Sequence, residues 1–522
     1  MARDTNPGGR PPGPPGASDA AASARVTRVL GWSAVLGIGA AILIMIAVSF
    51  AGPSQAVPAM PPPAAGPPWW HAARLSPALV TIALWMAAIV GCAGTMAGLA
   101  AVTRGARPPT RMLLASAFIA ITALTAAPPA GTTDVLSYAI DGRIVAVGHS
   151  PYVMTPAQLR HTGDPIGRLA PWTWATALSI YGPLGTGEEW AAAKLGGTSA
   201  ARIAFWLKLW NALAFGAVIL ALDRLLRSDP ARRARAHLLW SVNPLLLWAM
   251  IAGGHVDGLA TALGFFGLIV MRMRPGTRPA PWRALAAGLL IGAATAIKVP
   301  FSIFGVGITW AARRSAPALA AAATGFLALL LPAYLLAGRP AIRTIATRSP
   351  GATWDNLYQL FYRPFGYTVT ATTTQPALAA AAGLIAIGIA VLLLRRLPGP
   401  DGFSGLPAVP PAMALSLAWL FAWPFQRPWY DVMVVCLLAL YPASRLDWIV
   451  LVRLLAGTTV YMPGVPGTLV PHWLNDMFQY NGSYLTPAIR LAAIVAIVWL
   501  CLSGAWHWRS SPAADPRMHV LV

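Results

Sequence analysis

Four short stretches of the chain bring acid, base, cation and hydroxyl side chains together in patterns that could do chemistry. The first reads Gly131-Thr-Thr-Asp134-Val-Leu-Ser-Tyr138-Ala-Ile-Asp141-Gly-Arg143. Gly148-His-Ser-Pro151-Tyr152, Tyr181-Gly-Pro183 and Glu188-Glu189 follow it. Asp134, Tyr138 and Asp141 are spaced i, i+4, i+7, which puts them on one face of a helix. A carboxylate on such a face can accept a proton. After Thr132-Thr133, Asp134 reads equally well as a helix N-cap. The second stretch is Gly253-Gly254-His255-Val256-Asp257-Gly258, shortly after Asn243-Pro244. It sets His255 and Asp257 at a corner between helices, either facing a ligand or simply facing water in a tight turn. The third is Lys298, embedded among apolar residues. A charge at the centre of a bilayer costs a few kcal/mol and marks a functional site by default. A lysine that snorkels or lies in a loop is the alternative. The fourth is Gln426-Arg427-Pro428-Trp429-Tyr430-Asp431, a binding segment or an interfacial aromatic anchor. The sequence has no paired cysteines or His-Glu-x-x-His for a metal, and no Gly-Lys-Ser/Thr loop for a nucleotide phosphate.

The elements that must position these residues are membrane helices. Of 522 residues, 57% are hydrophobic and 10% charged, with mean hydropathy +0.61. Soluble domains carry about 25% charged residues. This excludes a water-soluble globule and a largely disordered chain. A disulfide scaffold is excluded too, since Cys92, Cys436 and Cys501 each lie inside an apolar run. About fourteen apolar runs lie between residues 29 and 505, many rich in Ala and Gly. Small residues let helices approach closely in lipid, so the fold expected is all-α, a compact polytopic bundle of about 12–14 spans. The formal charge of +22 comes from 38 Lys+Arg against 16 Asp+Glu. On a soluble chain it would suggest nucleic acid. Here the arginines flank apolar runs, so they are read as orienting the chain in a membrane, with no nucleic-acid partner.

Arg25 and Arg28, Arg104 to Arg111, Arg224 to Arg235, and Arg272 to Arg283 fall on alternate loops, which assigns that side to the cytoplasm. Residues 130–201 then form an extracytoplasmic, partly helical first loop, and the corner at 253–257 faces the same way. Residues 1–24 read as a disordered cytoplasmic tail, 25–510 as the membrane unit, and 511–522 as a second cytoplasmic tail. Residues 284–312 are long for one upright helix and short for two, with Lys298 and Pro300 in the middle, so a broken or re-entrant helix is expected. Charge alone leaves the crossing count there open. Two crossings put a second outer loop at 338–375, with Arg339, Arg343, Arg348 and Arg363 outside. An outward-facing site cannot draw on cytoplasmic nucleotide sugars, whereas a lipid-phosphate-linked sugar is within its reach.

Thr133-Asp134-x-x-Ser-Tyr138-x-x-x-Gly-Arg143, Gly148-x-x-Pro151-Tyr152 and Tyr181-Gly-Pro183 resemble the first outer loop of multi-spanning glycosyltransferases of the C superfamily. Asn243-Pro244, Gly-Gly-His255-x-Asp257, Ala-Ile-Lys298 and Pro428-Trp429-Tyr430 extend the likeness over roughly residues 30–500. Their order most resembles the actinobacterial polyprenyl-phosphomannose-dependent α-1,6-mannosyltransferases. One departure is Asp257, shorter by a methylene than the Glu expected at the corner.

The resemblance implies a multi-pass enzyme of the plasma membrane with its site on the outer face. The donor would be polyprenyl monophosphate mannose and the acceptor a growing mannan of a cell-envelope lipoglycan. It implies Asp134 as general base and Lys298, then Arg427 or Arg348, as cations for the donor phosphate. His255 and Asp257 would orient sugar or phosphate. Tyr138, Tyr152 and Tyr430 would pack on sugar faces, with Asp141, Arg143, Tyr181 and Trp429 also binding substrate. Arginines at 339–363 would then form a phosphate-attracting rim, which favours two crossings at 284–312. No cofactor is assigned, and dependence on a divalent cation is left open. Arabinose or glucose as the sugar, or transport instead of transfer, are the other readings of the same pattern.

Overall fold

The computed structural model describes residues 17–171, 173–274, 276–348, 352–365, 375–398, 405–462 and 471–505. Among the described residues the chain is all-helical, with no strand. Helices satisfy their own backbone hydrogen bonds, which a chain this apolar needs where lipid replaces water. Six helices are long and apolar enough to cross a membrane unaided, and five further apolar helices have 10–17 residues. Thirteen of the fourteen apolar runs fall on these helices or on the bent pair described below, and the other, at 447–461, forms the helix Leu446–Tyr461.

The first pass is α1 (Ala17–Ala51), which returns as α2 (Pro77–Thr103). It starts inside the stretch expected to be disordered, because Ala17, Ala20, Ala21, Ala22 and Ala24 favour helix and extend the apolar span. Residues 1–16, like the tail at 511–522, lie outside the described residues. The two helices are antiparallel and nearly touch backbone to backbone. Gly37 faces Gly94, Ala41 faces Gly91, and Ala34 faces Gly98. A Cβ on Gly94 would stand 2.8 Å from the Ile38 amide nitrogen. Gly94→Leu is therefore expected to push the pair apart and cost about 1–3 kcal/mol, read as a lower melting temperature in detergent.

After α3 (Thr110–Ala126) the chain leaves the bundle through α4 (Asp134–Ala146) and α5 (Pro183–Gly196), then re-enters along α6 (Ala200–Leu225). Gly142 lets α4 lie directly on α5: a Cβ there would meet the Glu189 carbonyl oxygen at 2.0 Å. Lys208 of α6 is fully buried and ties off the end of α3, donating to the carbonyls of Leu124, Ala127 (2.7 Å) and Pro128 (3.3 Å). That clasp fixes where residues 127–133 deliver Asp134.

Two breaks complete the frame. Helix α7 (Pro230–Ala252) meets α8 (Asp257–Val270) at 116°. Gly254 turns this corner at φ +63°, where the Lys208 stem leaves no room for a relaxed side chain. Two runs of π-helical turns in α7, His237–Ser241 and Leu247–Ala252, adjust its register before the corner.

The second break is at Lys298, whose extended backbone (φ −153°, ψ 118°) separates α9 (Pro281–Ile297) from a short 3-10 turn and α10 (Phe304–Ala312). Phe304 packs on Gly264 and Gly307 on Leu268, so α10 descends alongside α8. Helix α11 (Ala316–Arg348) then climbs beside α9, with Gly288 and Gly292 of α9 against Ala322 and Phe326. Its Tyr334 acts on Tyr152 at the end of the bundle where α4 lies. Residues 284–312 are thus two opposed helices, and residues 352–358 arrive at the same end as Asp134.

Candidate active site

The buried ends of these elements converge on one cluster. Asp134 is the first residue of α4, and its side chain does not cap the helix. Oδ1 accepts a hydrogen bond from Trp174 Nε1 at 3.1 Å, and Oδ2 lies 3.9 Å from His255 Nδ1. One turn along, the Tyr138 hydroxyl shares a hydrogen bond of 3.1 Å with His255 Nδ1 and accepts another from the Tyr181 hydroxyl at 3.3 Å. The His255 ring stacks on Trp429, centroids 3.8 Å apart. Behind them Lys298 Nζ donates to both oxygens of Asp257 at 2.9 Å and sits 4.4 Å above the Tyr430 ring. Lys298 is buried, so the charge the sequence flags is a neutralised one.

Arg427 is different. No carboxylate lies within ion-pair distance of it among the described residues. It rests on the Tyr461 ring at 4.6 Å and beside Trp429 at 5.8 Å. Its charge acts on Asp134 through space. Burial raises the Asp134 carboxyl above the ordinary carboxylate range, against the pull of Arg427, the Trp174 hydrogen bond and Lys298. A carboxylate so placed is a stronger proton acceptor than a solvated one. Gly131, Thr132, His255, Trp429 and Tyr461 line a small cavity beside it.

Thus the structure brings together Asp134, Tyr138, Tyr181, His255, Asp257, Lys298, Arg427, Trp429 and Tyr430. It does not bring the rest. Asp141 points away, two turns along α4, towards Ser179 and Glu189. Arg143 pairs with Asp164 at 2.8 Å and braces the outer segment. The Tyr152 hydroxyl donates to the Tyr181 carbonyl at 2.9 Å and meets Thr186 Oγ1 at 3.2 Å, which straps the outer segment together. The Arg348 side chain lies outside the described residues. Arg339 and Arg343 are exposed, and Arg363 lies 5.3 Å over Tyr484, so none of these three enters the cluster.

Sequence reasoning missed Trp174, Tyr461 and the second tier beneath Arg427. There Arg490 Nη2 donates to Asp355 Oδ2 at 2.7 Å, while Tyr461 donates to Asp355 Oδ1 at 3.2 Å. Arg453 is bound to Asp431 and reaches Gln426 Oε1 at 3.2 Å. The signal was present, since Arg453 and Arg490 sit inside apolar runs as Lys298 does. Trp174 carried none, because nothing in its neighbourhood distinguishes it from other loop tryptophans.

Three further acids are buried between α4 and α5. Burial pushes Asp141 up to about 7, Glu188 up to about 8, and Glu189 well above the usual range. Neither Glu189 oxygen has a hydrogen-bond partner among the described residues. A raised carboxyl makes the folded state bind more protons, so stability falls as pH rises towards these values. Unfolding in detergent is expected to become easier as pH rises from about 4, the ordinary carboxylate range, to about 8, and Glu189→Gln should flatten that slope.

The sequence finds counterparts among known proteins. Residues 34–314 match the family described as "Alpha-(1->6)-mannopyranosyltransferase, N-terminal domain". The chain is also 30% identical over 196 residues to "Alpha-(1->6)-mannopyranosyltransferase B" of Corynebacterium glutamicum, covering 35% of this chain and 31% of that protein. The chain therefore aligns with about a third of that relative's length, and the family match spans more than half of the chain. The chain belongs to the alpha-(1->6)-mannopyranosyltransferase family.

Proposed function

We propose that the chain transfers mannose from polyprenyl monophosphate mannose to a hydroxyl of a growing α-1,6-linked mannan, on the outer face of the plasma membrane. The observation that carries this reading is the pairing of one proton-accepting carboxylate, Asp134, with one carboxylate-free cation, Arg427, across a floor of aromatic rings. Family membership favours an enzyme over a transporter of the same architecture. The acceptor oxygen attacks the anomeric carbon and passes its proton to Asp134. The bond from that carbon to the phosphate oxygen breaks, and polyprenyl phosphate leaves with the electron pair. A single displacement turns a β-linked donor into an α product and needs no protein nucleophile. Leaving-group charge is stabilised by a cation already in place. Arg427 fits that task better than Lys298, whose charge is spent on Asp257. His255, held flat on Trp429, and the Tyr138–Tyr181 pair offer polar edges to the sugar.

The cavity beside Asp134 is only about 20 Å³, room for one water. A sugar therefore enters by displacing Trp429 or residues 131–132. The test supplies radiolabelled polyprenyl-phosphate mannose, glucose and arabinose, and GDP-mannose, to membranes carrying the chain, with a short mannoside acceptor. Transfer from the first donor alone, with an α-1,6 linkage in the product, is the expected result. Use of GDP-mannose at the same rate would defeat the lipid-donor reading. In the same assay Trp174→Phe removes the hydrogen bond that lowers the Asp134 carboxyl. The acidic limb of its pH–rate profile should move to higher pH, since more alkali is needed to ionise the base.

A further inference from the structure

A second cavity lies away from this site. It has a volume of about 510 Å³ and lies where the end of α2 meets α7 and the start of α12 (Leu446–Tyr461). Helix α2 runs 27 residues, about 40 Å, from the site end to this one. The cavity thus belongs to the opposite, arginine-rich end of the bundle, the end the positive-inside rule gives to the cytoplasm. Three arginines and one aspartate line it: Arg104, Arg235, Arg445 and Asp447. Arg235 and Asp447 neutralise each other, with Nε to Oδ2 at 2.8 Å and a second bond from Nη2 to Oδ1. Arg235 is also bound to the carbonyls of Leu438 (3.1 Å) and Tyr441, so this wall is rigid. Arg104 and Arg445 have no carboxylate within ion-pair distance among the described residues. Arg104 spends one weak bond, 3.3 Å, on its own helix. Two positive charges are left at the mouth. The rest of the lining sets apolar Leu99, Ala100, Ala443 and Trp448 beside the hydroxyls of Thr103 and Ser444.

We propose that this cavity binds the phosphate-bearing headgroup of an anionic glycerolipid of the inner leaflet. A phosphate alone would satisfy the arginines, whichever molecule carried it. The apolar wall and Trp448 are what favour a lipid, because a free phosphate has no use for them. The volume suits a headgroup with its glycerol, within the range of about 300–1,000 Å³ for small-molecule pockets. Basic pockets between helices at the cytoplasmic face are suited to such headgroups. The site is separate from the donor site and carries no part of the transfer chemistry proposed above.

The experiment uses the full chain in neutral detergent and native mass spectrometry. The probes are dioctanoyl-phosphatidylglycerol, dioctanoyl-phosphatidylcholine and inorganic phosphate. Phosphatidylglycerol should bind at least tenfold more tightly than phosphatidylcholine. The double substitution Arg104→Gln with Arg445→Gln should erase that preference, with the lipid-free melting temperature unchanged because both side chains are exposed. Arg107→Gln with Arg111→Gln, at the same end but outside the cavity, should leave it intact. Equal loss from both pairs would overturn a discrete site in favour of diffuse attraction. Competition by inorganic phosphate at equal concentration would overturn the lipid as the source of the phosphate. Unaltered lipid preference in the Arg104/Arg445 variant would overturn the proposal outright.

Discussion

Asp134→Asn is expected to lower the rate of mannosyl transfer by about 10²–10⁴-fold, the usual contribution of a general base. The amide keeps the size of the side chain and can still accept from Trp174 Nε1 through its oxygen, so α4 and its contacts should survive. What it loses is the ability to take a proton. The loss should therefore appear in turnover, while retention of labelled donor lipid by the purified variant stays within about twofold, as a group that acts only in the transition state requires. The pH dependence supplies a second readout. Burial raises the Asp134 carboxyl, so the protein is inactive while that group is protonated and gains activity as pH rises through its shifted value. That acidic limb should lie above the ordinary carboxylate range and should vanish in the Asn variant. A variant that binds donor normally, turns over normally and keeps the limb would remove Asp134 from the reaction. A variant that fails to bind donor would instead make the carboxylate part of the binding surface.

How much of this was legible beforehand depends on whether a residue's role is local or assembled. Asp134, Tyr138, His255 and Lys298 could be singled out because each breaks a local rule: acid beside a membrane run, charge inside one, glycine pair at a corner. The breaks at Lys298 and at Gly253–Asp257 were legible for the same reason, since apolar runs too short to span must bend. Partners could not be read this way. Asp257 lies 41 residues from Lys298, and only the opposed directions of α8 and α9 bring them to 2.9 Å. Asp141 lies outside the cluster because the i, i+7 rule sets residues on one face without saying how far along it the neighbours reach. Seven residues rise about 10 Å, which carries Asp141 past the cluster and down to Glu189. Arg143 and Tyr152 both lie in the matching motif, yet their bonds run to Asp164 and to the Tyr181 carbonyl, partners that no local pattern announces. The start of α1 was missed because alanine-rich sequence looks like low complexity until an apolar span continues it.

The second large effect separates Lys298 from Arg427. Lys298→Met leaves Asp257 as an unpaired carboxylate in a site with no exposed surface, and Asp257→Asn leaves the ammonium in the same position. Breaking one side of a buried pair costs about 3–5 kcal/mol, whereas removing both sides is often close to neutral. Each single variant should therefore melt well below the parent in detergent, and the double variant should recover most of the loss. The coupling energy from this cycle measures the pair itself. Transfer by the folded double variant then decides the chemistry. If Lys298 serves to hold Asp257, and through it the corner that carries His255, the double variant keeps measurable turnover with its affinity for donor nearly unchanged. Arg427→Gln should behave in the opposite way. No carboxylate is stranded, so stability holds, but donor affinity and turnover both fall because nothing else in the cluster offers a free positive charge. A stable double variant that loses donor binding, beside an Arg427→Gln protein that keeps it, would exchange the two assignments: the Asp257 pair would then have to open in the complex so that Lys298 could reach the phosphate.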